Sequence, residues 1–475
     1  MRRFLPVLIA FVVVATIAIA ALLNLPAPTA RSASTAGGLI TALFPGKLTG
    51  SASTTPGAPD ALFATLAGNA TASIDVALYD FNRASVRDAL LAAHGRGVSV
   101  RVVGDGEDAA DPGYAPFYNS LLSSGIQVIT DTKSSLMHNK FAVFDGLTTW
   151  TGSANFTDTG FTFNAENIVV ITDTVVANIY HTEFNEMFSG TFSNDKTNNT
   201  AHNATVGGSA LEIAFAPTDG VQDRIAAAIN SAHSSIQVAM FTFTSDPLGN
   251  ALIAAHNRGV KVEVMLDQVA AGSTGGERDR LCAAGVAVRV ENFAAKIHDK
   301  VAVIDAGTGS DPLVITGSTN WTANAVQAND ENVLIVHDAG LAADFSTELG
   351  RVRASIAPGS FTCNAPQLTA TPSATQPIAT PPCDLTGITC IYLPVVQRAA
   401  VPLPDLTVVG MTISLNTDCL SNNSQLGLRV QVQNVGAGAA GAFAVEANGV
   451  QQTVPGLATG QVTALWFAGY QSGGP

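Results

Sequence analysis

Met137-His138-Asn139-Lys140-Phe141-Ala142-Val143-Phe144-Asp145, closed by Gly152-Ser153-Ala154-Asn155, has a second copy in the chain: Ile297-His298-Asp299-Lys300-Val301-Ala302-Val303-Ile304-Asp305, closed by Gly317-Ser318-Thr319-Asn320. In each copy the residues from the His onward alternate with apolar neighbours, which predicts a β-strand with side chains on opposite faces. His138 and Lys140 then share one face, as do His298 and Lys300. An imidazole serves as nucleophile or proton carrier near neutral pH, and an adjacent ammonium holds a phosphate oxygen as a point charge. One His-x-Lys on a strand is ordinary; two copies, each followed by Asp and by Gly-Ser-x-Asn, point to a paired site. Asp145 and Asp305 stand at an odd spacing from their histidines and turn to the other strand face, so they are expected to be structural, capping the hairpin.

The copies belong to a longer repeat. Ile74-Asp75-Val76-Ala77-Leu78-Tyr79-Asp80-Phe81 matches Ile236-Gln237-Val238-Ala239-Met240-Phe241-Thr242-Phe243, and Ala92-Ala93-His94-Gly95-Arg96-Gly97-Val98 matches Ala254-Ala255-His256-Asn257-Arg258-Gly259-Val260. A duplicated unit of this kind predicts two similar α/β halves packed together. His94 and His256 fall at helix ends, where a cation meets the dipole favourably, and are expected to be structural. In the first half, helices over 60–67, 85–94, 114–123 and 175–188 alternate with strands at 73–79, 98–103, 127–130 and 167–171. Such alternation predicts parallel strands covered by helices. Residues 41–59 are rich in Ser, Thr, Gly and Pro and read as loop. The polar stretch Ser193 to Ser209 reads as a flexible connector. At 306–313 the second hairpin carries a longer Gly-rich loop, placed either at the cleft or on an edge.

The chain has 475 residues, 47% of them hydrophobic and 13% charged. That length suggests about two to four domains. A formal charge of -14 and a pI near 4.9 argue against a broad basic surface for nucleic acid. Arg2 and Arg3 precede an apolar run from Phe4 to Leu23 and a Ser34-x-Ala36 processing site, so residues 1–36 are expected to be an export signal or an uncleaved anchor. Among the five cysteines, one or two bridges are expected within Cys363, Cys383, Cys390 and Cys419, with Cys282 a small buried residue at a helix end. No spacing gathers four zinc ligands, so no metal is expected. The halves are expected at 39–189 and 210–358, with the connector at 190–209. Residues 365–403 read as a Pro/Thr-rich linker. Residues 404–475 read as a small β-sandwich without an obvious closing strand.

The doubled His-x-Lys-x4-Asp with its Gly-Ser-x-Asn tail resembles the phospholipase D superfamily over about residues 39 to 358. The resemblance implies that His138 attacks phosphorus to form a phosphohistidine and that His298 protonates the leaving group and then activates water or an alcohol. It implies that Lys140, Lys300, Asn155 and Asn320 bind phosphate, with Ser153 and Ser318 adding hydroxyls, and that no cofactor takes part. It also implies an acidic partner downstream of each motif that fixes the His tautomer: Glu166 in Asn164-Ala165-Glu166-Asn167 and Glu331 in Asp330-Glu331-Asn332-Val333. The strand Leu426 to Gly436, with its Asn-x-Gly turn, resembles the bacterial CARDB sandwich. Together these give an exported phosphodiesterase acting on phospholipid headgroups at a membrane surface, with transphosphatidylation when an alcohol competes with water. Apolar stretches such as Phe161-Thr162-Phe163 favour lipid. An exported metal-independent nuclease is the alternative, and a non-enzymatic surface-binding protein the third reading. Both half-sites lie in one chain, which implies a monomer.

Overall fold

The repeat becomes two sheets that back onto each other. In the computed structural model the described residues are 31–34, 38–308, 310–363, 406–416, 425–434, 443–447, 450–454, 456–458 and 461–468. Contacts divide the chain into two units, Met1–Thr371 and Pro372–Pro475. In the first half run β1 (Arg31–Ser34), β2 (Ile40–Phe44), α1 (Ala58–Asn69), β3 (Ser73–Leu78), α2 (Ala84–Gly95), β4 (Ser99–Gly104), α3 (Gly106–Ala110), α4 (Ala115–Ser123), β5 (Gln127–Thr130), β6 (Phe141–Phe144), β7 (Thr148–Gly152), α5 (Asp158–Thr162), β8 (Ile168–Thr172) and α6 (Thr174–Phe188). The second half has β9 (Asn203–Val206), β10 (Ser209–Ala216), α7 (Val221–Asn230), β11 (Ser235–Met240), α8 (Asp246–Asn257), β12 (Lys261–Leu266), α9 (Arg278–Ala283), β13 (Ala287–Val290), β14 (Lys300–Ile304), β15 (Leu313–Gly317), α10 (Ala323–Gln327), β16 (Glu331–His337), α11 (Ala339–Ser355) and β17 (Thr362–Cys363).

The sheet orders are β1-β2-β8-β7-β6-β3-β4-β5 and, read from the opposite edge, β9-β10-β16-β15-β14-β11-β12-β13-β17. The duplicated α/β architecture is therefore present, eight strands matching eight, with β17 added at the edge of the second sheet. The sheets are mixed rather than parallel. β3-β4-β5 and β11-β12-β13 are parallel, whereas the His-bearing hairpins and their neighbours are antiparallel. The loop expected over 41–59 contains a strand at its start, since β2 pairs with β8. Its run Ile-Thr-Ala-Leu-Phe is short and barely alternates, so periodicity hides it.

Between the sheets lies one shared core. It takes Phe141, Val143, Val169 and Ile171 from the first sheet and Ile213, Phe215, Val301 and Val303 from the second, with Tyr180 and Phe184 of α6 and Phe345 and Leu349 of α11. Rings cross the seam: Phe44 meets Phe345 at 4.8 Å and Tyr180 meets Phe215 at 5.3 Å. Asp173 caps α6 and Asp338 caps α11, each accepting from first-turn amides. Fixing these two helices against both sheets fixes the halves relative to each other.

The connector expected to be flexible is pinned. β9 pairs with β10, and Lys196 is buried with its Nζ on Glu183 and, at 2.8 Å, on Asp330. A lone Lys in a polar stretch reads as solvated; here two buried carboxylates meet it. The longer second hairpin stands at the end of β14 away from His298 and does not line the cleft; its Thr308 and Ser310 bond back to Asp305. Cys282 is not a lone buried residue: it forms a disulfide with Cys363, Cα atoms 5.9 Å apart. That bridge ties β17 and the chain leaving the second half to α9. Cys383, Cys390 and Cys419, the linker at 365–403 and most of the leader lie outside the described residues. Residues 31–34 of the leader form the edge strand β1 on β2. Among the described residues no helix is long and apolar enough to cross a membrane.

The second unit contains β18 (Leu406–Asn416), β19 (Gln425–Asn434), β20 (Phe443–Ala447), β21 (Val450–Val454) and β22 (Val462–Ala468). They form a β18-β19-β22 sheet and a β20-β21 hairpin. Asn434 closes β19, its Nδ2 donating to Leu457 O at 2.9 Å.

Candidate active site

His138 and His298 stand just before the first residues of β6 and β14, so the regular strand begins a few residues later than the alternation suggests. Their backbones are held by the opposite half. His138 N donates to Asp330 O at 2.9 Å and His298 N to Ala165 O at 3.0 Å, while Asp330 N and Ala165 N return bonds to Leu136 O and Lys296 O. These two short parallel bridges set residue 331 beside 138 and residue 166 beside 298. The site is thus assembled across the seam.

The carboxylates cross accordingly. His138 Nδ1 is 2.8 Å from Glu331 Oε2, and His298 Nδ1 is 2.7 Å from Glu166 Oε1. The second approach is a close contact without hydrogen-bond geometry, where the first is a hydrogen bond. Each glutamate therefore serves the histidine of the other half, not the one upstream of it in sequence. Ser153 and Ser318, expected at the phosphate, are committed to these glutamates instead. Ser153 Oγ donates to Glu166 Oε2 at 2.6 Å and accepts from Asn167 N. Ser318 bonds Glu331 and accepts from Asn332 N. Behind them, Asn332 donates to Asn139 and accepts from Thr151, and Asn167 donates to Asp299 and accepts from Thr316. Gly152 and Gly317, at φ 135 and 126, permit this closeness: a Cβ on either would lie 2.3 Å from the carbonyl oxygen of Asn167 or Asn332.

Burial sets the charge states. Lys140 and Lys300 are 0% and 2% exposed, and each Nζ donates to the carbonyl of the motif's own histidine. Desolvation pushes them down to about 7 and about 8 and pushes Glu166 and Glu331 up to about 8. Both imidazoles are held well below their ordinary value, first by burial and then by the lysines. His138 also feels His298 directly, so the two rings occupy one electrostatic site. In the tautomer whose Nδ1 carries the ring proton toward its ionised glutamate, Nε2 keeps the lone pair that a nucleophile or base requires.

Asn155 is buried and donates Nδ2 to Asp80 Oδ2 at 2.5 Å, and its Oδ1 has no hydrogen-bond partner among the described residues. The same holds for Asn320 Oδ1. Asp145 accepts from the amides of Thr71, Ala72 and Ser73, and Asp305 from those of His233, Ser234 and Ser235. They brace the entries to β3 and β11 rather than only their own hairpins, and these amide bonds hold both carboxyls below the usual range. Phe161 is 1% exposed, inside the first half's core, and Phe163 packs against the shared core. The Phe161-Thr162-Phe163 stretch is therefore no lipid-facing loop.

Tyr79 and Phe241 belong to the site and were not singled out by their sequence. The rings of Tyr79 and His138, and of Phe241 and His298, have centroids 4.7 Å apart. Lys140 Nζ lies 4.8 Å from the Tyr79 centroid and Lys300 Nζ 5.0 Å from that of Phe241. Their matching places at the ends of β3 and β11 were the available signal.

A family model described as "Cardiolipin synthase, PLD-like domain" matches residues 64–188 and 225–353. A mitochondrial cardiolipin hydrolase of Chlamydomonas reinhardtii is 36% identical over 124 residues, 26% of this chain and 53% of that protein. A phospholipase D of Rickettsia bellii is 34% identical over 134 residues, 28% of this chain and 64% of that one. The chain thus spans about half to two thirds of these relatives. Phosphatidylserine synthase of Haemophilus influenzae superposes with a TM-score of 0.50 at 14% identity, covering 64% of this chain and 85% of that one, a likeness of fold.

Proposed function

Because the chain belongs to the family of phospholipase D-like domains, we propose that it is a phosphodiesterase that removes phospholipid headgroups through a phosphohistidine. The observation that carries this reading is the pair of imidazoles, each with Nδ1 within 2.8 Å of a glutamate of the opposite half, set among two buried lysines. His138 Nε2 attacks phosphorus as the P–O bond to the headgroup breaks; His298, which takes up a proton when the phosphate anion binds, gives that proton from Nε2 to the leaving oxygen. Glu166 beside Nδ1 lets His298 carry that proton, and Glu331 does the same for the charge developing on His138. Lys140 and Lys300, with the amides of Asn155 and Asn320, stabilise the charge on the equatorial oxygens. Water, or an alcohol in transphosphatidylation, then gives a proton back to His298 and displaces His138 from phosphorus.

The printed names of the two relatives, a cardiolipin hydrolase and a phospholipase D, favour a lipid diester. Export is part of the proposal. It is supported by the Arg2-Arg3 and apolar leader and by the Cys282–Cys363 disulfide, which persists in oxidising compartments. The test is hydrolysis of phosphatidyl lipids by protein lacking residues 1–36, in EDTA. Headgroup release that His138→Ala lowers at least about a thousandfold is expected. Cleavage of plasmid DNA with no action on lipid would overturn the lipid reading in favour of a nuclease.

A further inference from the structure

The two bridges that join the half-sites are built alike: Leu136 N donates to Asn329 Oδ1 at 3.1 Å, and Lys296 N to Asn164 Oδ1 at 3.3 Å. The residue between that Asn and the glutamate differs in kind. It is Ala165 on the His298 side and Asp330 on the His138 side. Asp330 is 0% exposed, and its Oδ1 accepts from Ser193 N at 2.9 Å and lies 2.8 Å from Lys196 Nζ. Lys196 Nζ also donates to Ala216 O at 2.9 Å and meets Glu183, while Ser193 Oγ donates to Ala328 O. Residues 193–196 of the connector thus grip residues 328–330 through three bonds. Around Ala165 the hold is by main chain. Lys47 N and Leu48 N donate to Thr162 O and Phe163 O, and Gly46 packs so close that a Cβ there would lie 1.7 Å from Asn164 O.

We propose that Asp330 is a positioning residue for His138, and that the connector turn 193–196 is the strut that holds it. The peptide of Asp330 accepts from His138 N at 2.9 Å and donates to Leu136 O at 2.8 Å. The next residue is Glu331, whose Oε2 is 2.8 Å from His138 Nδ1. Displacing that one peptide therefore moves both the backbone anchor of the nucleophile and the carboxylate that faces its ring. A hydrogen bond of this length is lost within about 1 Å, and misplacing a reacting group by that much costs on the order of 100-fold in rate. Asp330 faces the connector and Glu331 the pocket, as neighbours on an extended chain do. The grip is applied from outside the pocket and adds no group to it.

This deepens the phosphodiesterase reading and rests on it for the chemistry, not for the geometry. Ala165 shows that alanine fits a bridge of this kind, and Asp330→Ala leaves Lys196 paired with Glu183, so that variant is expected to fold. Asp330→Asn keeps an acceptor for Ser193 N and Lys196. On a short-chain phosphatidyl lipid, rapid-quench kinetics of the whole chain should show adduct formation on His138 slowed about 10–100-fold in Asp330→Ala. KM should change little, and Asp330→Asn should recover most of the rate. Formation at the wild-type rate in Asp330→Ala, or an Asp330→Asn as slow as Asp330→Ala, would overturn the strut. Proton NMR without substrate reads the same geometry. The resonance of the proton between His138 Nδ1 and Glu331 should be present in the wild type and in Asp330→Asn and lost in Asp330→Ala; a resonance unchanged in Asp330→Ala would also overturn the strut. Its loss in Asp330→Ala, with no lipid cleaved by the wild type, would keep the strut and lose the enzymatic reading.

Discussion

At the scale of single residues, each glutamate answers to a histidine it does not follow in sequence. Glu331 lies on His138 and Glu166 on His298, so the two variants act on different groups. Glu331→Gln should slow formation of the adduct on His138, and Glu166→Gln both its formation and its breakdown, because His298 carries the proton in each step, by about 10–100-fold; rapid-quench kinetics reads the two phases. The reverse assignment would mean that each glutamate serves the histidine upstream of it. The lysines give a pH dependence with a definite sign. Lys140 and Lys300 are held down at about 7 and about 8 in the empty pocket, and only the protonated amine holds a phosphate oxygen. Affinity for inorganic phosphate should therefore fall from pH 7 to pH 9, with proton uptake on binding. Calorimetry in two buffers of different ionisation enthalpy measures both, and a flat profile would contradict it. The doubled His and Lys were readable from recurrence, and the matching Asn and Glu from the resemblance to the phospholipase D superfamily. The roles of Ser153 and Ser318 were not, because a serine next to a phosphate site and a serine next to a buried carboxylate look the same in one dimension.

At the scale of elements, the parts that followed from periodicity were those whose burial is one-sided or complete over several residues: β3, β4, α2, α6 and their repeats. Those that did not follow owe their order to distant partners. β2 exists because β8 offers an edge. The 193–209 connector is ordered because β10 pairs with β9 and because Lys196 sits between Glu183 and Asp330. Burial by itself would lower Lys196, and those two carboxylates outweigh it and raise the amine above its ordinary range. Removing it should leave two unpaired buried acids next to Glu331. Lys196→Ala is expected to cost about 3–5 kcal/mol, read as a drop in the urea midpoint at pH 7. A loss below about 1 kcal/mol would mean that water reaches the cluster.

At the scale of the molecule, duplication yields one site rather than two. The shared core, with Phe44 on Phe345 and Tyr180 on Phe215, holds the sheets face to face. The bridges of residues 137 to 330 and 165 to 297 then exchange carboxylates between halves. The sequence showed that two half-sites exist in one chain; that each is completed by the other's glutamate depends on the seam, which leaves no local trace.

The most direct test of this assembly is mass spectrometry of His298→Asn after mixing with a short-chain phosphatidyl lipid and acid-free quenching. A phosphatidyl adduct on the peptide that contains His138, accumulating in this variant and absent from His138→Ala, is the predicted result. Full turnover by His298→Asn with no adduct on any histidine would contradict a pocket in which the two rings act on one phosphorus.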